Sequence, residues 1–167
     1  MMEGILEKSA VKRALHAMSI LGIPGEIKVL AESARTAQDA ANALGIAVGQ
    51  IASSLVFRLP NGDPILVVTS GRHRVDTNLV AKQLGVEFLN RADADYVKEI
   101  SGYSVGGVAP VGWQNSASVV LIDSALSEYE VVWAAAGHPH AVFPTNYREL
   151  LIATKGKSVT VENNATT

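Results

Sequence analysis

The sequence contains no cysteine, which excludes disulfides, thiolate zinc sites and cysteine nucleophiles together and suits a reducing compartment. It also lacks an excess of positive charge. Fourteen Lys and Arg stand against sixteen Asp and Glu, a formal net charge of −2, so no global positive field can hold a nucleic acid and any such contact has to be local. Charged residues make up 18% and hydrophobic residues 48%, too apolar and too weakly charged for a disordered chain. There is no basic stretch followed by an apolar run at the start, where Met1-Met2-Glu3-Gly4-Ile5-Leu6-Glu7-Lys8 carries two acidic residues, so a cytosolic (cytoplasmic) start is expected. The longest charge-free stretch, Ile100 to Ile122, is broken by Gly102, Gly106, Gly107, Pro110 and Gly112, which predicts no membrane span. The 167 residues fit one domain over 1–167, with a core expected from about residue 9 to residue 162.

What is present alternates between helical and extended patterns. Val11, Leu15 and Met18 follow Ser9 at helical spacing and Gly22 closes the stretch, predicting a helix capped by Ser9. Ile27 to Ala31 reads as a strand, and Thr36 caps an Ala-rich helix stopped by Gly45. Ser54 to Leu59 and Ile65 to Thr69 flank Pro60-Asn61-Gly62-Asp63-Pro64, the pattern of an antiparallel hairpin. Asp76 caps a helix through Leu84, Val86 to Leu89 reads as a strand, and Asp93 caps a helix ending near Gly102. Ser118 to Asp123 and Tyr129 to Ala136 are β-rich, Thr145 opens a helix through Ala153, and a strand over Ser158 to Glu162 precedes a polar tail, Asn163 to Thr167. The hairpin forbids a purely parallel sheet, so the class is α/β or α+β with a mixed sheet.

Several motifs fall short of the chemistry they imitate. Gly156-Lys157-Ser158 looks like the end of a P-loop, but Leu151 stands where that motif needs glycine. Gly102-Tyr103-Ser104-Val105-Gly106 fits G-x-S-x-G, and Ser104, Asp123 and His138 follow in hydrolase order. A nucleophile elbow needs a strand before the serine and a helix after it, whereas a helical pattern precedes this one. Ser104 therefore reads as a turn serine, with a serine esterase as the alternative. His138 and His140, two apart, could share a metal on an extended segment, but two ligands are not a site and no partner cluster is obvious. No metal and no cofactor are expected, and a loop histidine beside a substrate is the preferred reading.

Two features point to a ligand. Arg72-His73-Arg74 follows a strand end at Gly71, giving a compact positive patch suited to phosphate; a solvated turn paired to Asp76 is the other reading. Gly102 to Gly112 is a long, uncharged, glycine-rich loop with apolar Val105, Val108 and Val111 and with Pro110 to stiffen it. Glycines let a backbone approach a ligand and aim its N–H groups at a carbonyl oxygen that becomes an oxyanion.

Gly102-Tyr103 to Gly112 with G-x-x-x-P at Gly106 to Pro110, Ser54-Leu55-Val56-Phe57, Gly71-Arg72-His73 and Ala136-Gly137-His138-Pro139-His140 together resemble the YbaK/aminoacyl-tRNA-synthetase-associated domain family, over nearly the whole chain. The resemblance implies a mixed, curved central sheet surrounded by helices, found free-standing or inserted in prolyl-tRNA synthetases. It implies hydrolysis of mischarged tRNA, of the Cys-tRNA(Pro) or Ala-tRNA(Pro) type, with tRNA as partner, prolyl-tRNA synthetase as a possible second partner, and no membrane. It makes Gly106, Gly107, Pro110 and His138 the expected catalytic residues, the loop holding the ester through backbone N–H groups while a water or ribose hydroxyl attacks. Ser53, Arg72, His73, Arg74 and Asp123 are the expected substrate-binding residues. Members of the family commonly carry lysine where Ser53 stands in Ile51-Ala52-Ser53-Ser54-Leu55; a hydroxyl has no fixed charge for a tRNA phosphate. A module that binds aminoacyl-tRNA without turnover is the alternative this departure raises.

Overall fold

The computed structural model describes residues 2–162; the polar tail from Asn163 lies outside them. In chain order the elements are α1 (Met2–Leu6), α2 (Ser9–Leu21), β1 (Lys28–Val29), α3 (Ala37–Leu44), β2 (Ile51–Arg58), β3 (Pro64–Ser70), α4 (Thr77–Leu84), β4 (Asn90–Arg91), α5 (Ala94–Ser101), β5 (Val119–Asp123), β6 (Val132–His138), β7 (Ala141–Thr145), α6 (Tyr147–Thr154) and β8 (Lys157–Val159). Short 3-10 turns occupy Val48–Gln50 and Ser124–Glu128.

Local signals set most of these boundaries. Thr36, Asp76 and Asp93 accept hydrogen bonds from first-turn N–H groups of α3, α4 and α5, satisfying donors that the helix itself cannot pair. Two expected caps differ. Ser9 lies inside α2, with Lys8 at the cap position and no side-chain bond there. Thr145 ends β7 opposite Val132, and Asn146 caps α6 by accepting from the Glu149 N–H at 2.8 Å. Thr145 is drawn into the sheet by that pairing, yet its hydroxyl still reaches the helix by donating to Glu149 Oε1 at 2.8 Å.

The eight strands form one mixed sheet in the order β1-β7-β6-β2-β3-β5-β8, with β4 added to β2. The Asn-Gly hairpin joins β2 and β3 antiparallel, from Ala52 opposite Ser70 to Arg58 opposite Pro64, and Leu59 N–H donates to Asp63 O across the turn at 2.8 Å. β2–β6, β3–β5 and β5–β8 are parallel. The strand expected over Val86 to Leu89 is displaced to β4: Leu89 is buried against the sheet, and pairing with β2 begins only at Asn90. The expected strands Ile27 to Ala31, Tyr129 to Ala136 and Ser158 to Glu162 shrink or shift to β1, β6 and β8. No strand is expected over β7, which contains Pro144, a residue usually kept out of strand interiors. It is tolerated because β1 pairs only with Val142 and Ala141, so the edge at Pro144 needs no N–H.

The sheet carries apolar side chains on both faces. Leu66 and Val68 of β3 join Met18, Tyr103 and Phe143 in the main core, while Ile65 and Val67 join Val80 and Leu121 under α4. Each fully buried side chain of this size contributes about 1.5–3 kcal/mol, which explains why the central strands read as near-continuous apolar runs.

Candidate active site

The sheet forks at its centre, and the fork makes the site. On one side β2 pairs with β3 over its whole length. On its other side it meets β6 only at Ile51 and Ala52 and β4 only at Phe57 and Arg58. Ile51 O accepts from Gly71 N–H and Leu59 N–H donates to Asp63 O, both on the β3 side. By strand alternation the main-chain groups of Ala52, Ser54 and Val56 face the other edge, and Ser54 falls in the gap with no ladder partner there. β6 stops pairing with β2 after Ala134, just before an irregularity in its ladder with β7 between Ala135 and His138.

A cavity of about 410 Å³ opens in this gap, within the size range of small-molecule sites. Its walls come from Ser53 to Phe57 of β2, from Trp133 and Ala134 of β6, from Ala34 to Ala37 before and at the start of α3, and from Val105, Gly106 and Val108. Arg35 and Arg91 are its charged lining residues and no carboxylate lines it. Both arginines are exposed and neither has a salt-bridge partner among the described residues. The Ser54 hydroxyl is buried and has no hydrogen-bond partner among the described residues.

The glycine-rich loop is a braced structure. Tyr103 is fully buried and its hydroxyl donates to Val111 O at 2.7 Å. Arg13 Nε donates to Gly112 O at 2.8 Å, and its guanidinium lies 4.6 Å from the Tyr103 ring centroid, a cation–π contact. Trp113 Nε1 donates to Ala109 O at 2.7 Å. Burial pushes the Tyr103 hydroxyl up to about 12, with Arg13 partly opposing it.

At the tip the two glycines differ. Gly106 has φ +95°, in the left-handed region, and a Cβ there would sit 3.5 Å from Arg35 Cγ and 3.6 Å from Pro139 Cγ. Gly107 packs so closely on the end of β6 that a Cβ would lie 2.8 Å from both His138 Cα and His138 N. Gly107 N–H donates to Ser104 O at 2.9 Å, whereas the N–H groups of Gly106 and Val108 have no acceptor among the described residues.

Of the residues expected from sequence, Gly106 and Ser53 line the cavity. Gly107 and His138 touch each other and do not line the cavity. Pro110 faces a separate, smaller depression with Leu66 and Trp113. His138 Nδ1 accepts from His140 N–H at 3.0 Å, which leaves the neutral ring its proton on Nε2. Burial lowers the pKa of His138, and His140, Lys8 and Arg35 lower it further. His140 Nδ1 donates to Leu30 O at 2.8 Å, so the two imidazoles are each engaged by backbone. Among the described residues no three of His, Cys, Asp and Glu group as a metal site.

Arg72, His73, Arg74 and Asp123 do not line the cavity. Arg72 is paired to Glu128 at 2.8 Å, and Asp76, its partner in the solvated-turn reading, caps α4 with its carboxylate instead. Asp123 is buried and accepts from Thr69 Oγ1, Ser70 N–H and His73 Nδ1 through Oδ2 and from Ala125 N–H through Oδ1. The Asp123 and His73 side chains are only 1% and 6% exposed, and they tie the ends of β3 and β5 together. Ser104 follows α5, and the next element after it is the strand β5 rather than a helix; its hydroxyl has no histidine partner among the described residues, so the elbow geometry is missing.

Sequence reasoning missed Arg35, Arg91 and Ser54. The arginines sit in no motif. The available signal for Ser54 is a serine between Ala52 and Val56 on the core-facing side of a strand.

Among the described residues no helix is long and apolar enough to cross a membrane. A solved structure described as a candidate trans-editing enzyme for prolyl tRNA synthetase superimposes with a TM-score of 0.86 at 34% identity, covering 94% of this chain and 99% of that one. A candidate Cys-tRNA(Pro)/Cys-tRNA(Cys) deacylase of Enterococcus faecalis, EbsC, is 30% identical over 105 residues, 61% of this chain and 62% of that protein. The uncharacterized protein YwhH of Bacillus subtilis is 29% identical over 118 residues, 71% of this chain and 74% of that one. The sequence model of the aminoacyl-tRNA editing domain matches residues 31–152, and the chain belongs to that family.

Proposed function

We propose that the cavity receives the aminoacyl group at the 3′ end of a mischarged tRNA and that the chain hydrolyses its ester in trans, in the cytoplasm where aminoacyl-tRNA is used. The observation that carries this reading is the juxtaposition, across one cavity, of the Gly106 loop with its unpaired N–H groups and a rim bearing two unpaired guanidiniums. A water attacks the carbonyl carbon, and the proton it gives up goes to the departing ribose oxygen. The ester C–O bond then breaks, the ribose oxygen leaves with a proton, and the N–H groups of Gly106 and Val108 stabilise the oxyanion formed between these events. His138, neutral and held beneath the loop, positions Gly107 and through it the tip.

Arg35 and Arg91 supply positive charge for the terminal phosphates, a role that Ser53 cannot fill. One methylene is worth only about 1–3 kcal/mol in an apolar pocket, so the correct amino acid has to be rejected by steric exclusion. A small side chain on proline tRNA, alanine or cysteine, fits that requirement, and prolyl-tRNA synthetase is the matching partner.

The test is a panel of tRNAs charged with alanine, cysteine, serine and proline. Accelerated loss of a small aminoacyl ester with proline spared supports the reading. Ser53 in the lysine position favours a second reading, binding without turnover; protection of the ester from spontaneous hydrolysis distinguishes it. Loss of no ester above the buffer rate, together with no protection, sinks both.

A further inference from the structure

Ser54 presents two main-chain hydrogen-bonding groups to the gap between β6 and β4, and the protein satisfies neither of them there. Its Oγ is buried without a partner, and its N–H and C=O lie on the strand edge that neither β6 nor β4 reaches. Buried polar groups are nearly always paired, and an orphan of this kind calls for an explanation. A strand edge open to a cavity pairs with water until it is displaced by a ligand that carries a donor and an acceptor spaced like those of a strand residue.

An aminoacyl ester carries them. Its α-nitrogen and its carbonyl oxygen flank one α-carbon, as the N–H and C=O of a strand residue do. We propose that Ser54 reads the α-ammonium and carbonyl of the substrate as one added rung of the sheet, its C=O accepting from the ammonium and its N–H donating to the carbonyl. Ser54 is then a substrate-positioning residue that recognises what all aminoacyl groups share, and the walls of the cavity choose among side chains. The inference rests on the aminoacyl-ester reading of this cavity and adds a requirement that reading does not make: the α-amine must be present.

The test compares alanyl-tRNA with propionyl-tRNA, which differ only in the α-amine, each expressed as acceleration over its own uncatalysed loss. The full chain should favour the alanyl ester by on the order of tenfold or more, the effect of leaving hydrogen-bond partners unmatched. Ser54→Ala keeps both main-chain groups and should keep that preference without lowering Tm, because an unsatisfied buried hydroxyl is removed. Equal acceleration of the two esters overturns the proposal while leaving editing intact, and so does loss of the preference in a folded Ser54→Ala protein, which would assign the recognition to the side chain. If Ser54→Ala fails to fold, the comparison on the unaltered chain decides. Acceleration of neither ester removes the editing reading and this one with it.

Discussion

His73 Nδ1 lies 2.8 Å from Asp123 Oδ2 in the interior, and the same carboxylate also serves Thr69, Ser70 and Ala125. A group with this many obligations inside the protein is a brace. Asp123→Ala would strand buried donors from three segments and should cost about 3–5 kcal/mol, read as a lower urea midpoint. Turnover per folded molecule should persist. Loss of activity from a fully folded Asp123→Ala protein would return Asp123 to the substrate site.

The two tip glycines should separate in function. Gly106→Ala meets only ordinary contacts, but the left-handed φ of +95° is unfavourable for alanine by about 1–2 kcal/mol, so the tip will shift and deacylation should fall while the far-UV spectrum is kept. Gly107→Ala forces a methyl against the His138 main chain, and backbone cannot swing aside, so the main loss should be stability. Measuring Tm and mischarged-tRNA hydrolysis on both variants checks the assignment; unchanged turnover in Gly106→Ala rejects the role of the tip.

Tyr103 makes alkaline stability diagnostic. Its folded pKa is raised to about 12 against an unfolded value near 10. Above pH 10 the unfolded chain releases this proton and the folded chain does not. The contribution is therefore full below about pH 10 and is lost as pH rises through about 12, on the order of 2–3 kcal/mol in all. Tyr103→Phe should be less stable at neutral pH, having lost the bond to Val111 O, and should show a shallower fall in stability between pH 10 and 12. Parallel alkaline profiles would mean that the hydroxyl is not buried.

How much of this was legible in the sequence follows from how local each cause is. Asp76, Asp93, Gly45 and Gly102 announced helix ends because a cap acts within one turn. The Asn61-Gly62 hairpin and the loop from Gly102 were equally local. β7 was hidden, because Pro144 is permitted only by the shortness of β1, and nothing near Pro144 in sequence reports that. The site itself is a relation among distant segments: the cavity exists because β6 leaves β2 too early and β4 arrives too late. No feature of Ser53 to Val56 by itself reveals which neighbours stop short. The positive patch at Arg72 was visible because it is contiguous, whereas Arg35 and Arg91 meet only through the fold.

His138 should stay neutral through the physiological range. Burial, then His140, Lys8 and Arg35, lower its pKa from 6.5, so the unfolded chain takes up a proton first as pH falls. Its contribution to stability is present above pH 6.5 and declines as pH drops through the lowered folded value. A nitrogen-detected NMR titration should find the Nε2–H tautomer at pH 7 and a midpoint below 6.5. A midpoint above 6.5 would indicate an anionic neighbour and a different role for the ring.

Arg35 and Arg91 decide where the nucleic acid lies. They stand on the rim without partners, while Arg72 is held by Glu128 at 2.8 Å. A guanidinium that meets a phosphate releases counterions, so removing one such group lowers the slope of log affinity against log salt by about 1. Arg35→Ala and Arg91→Ala should each weaken tRNA binding and flatten that slope by about 1. Arg72→Ala should leave the slope unchanged, since its charge is already engaged and its removal frees only an exposed Glu128. Because Arg35 also lies over Gly106, Arg35→Lys, which keeps the charge but not the planar fork, should restore the slope more fully than the rate. The opposite pattern, with salt dependence following Arg72 and indifferent to the rim, would move the acceptor stem to the Arg72–Glu128 surface and leave the cavity without its tRNA.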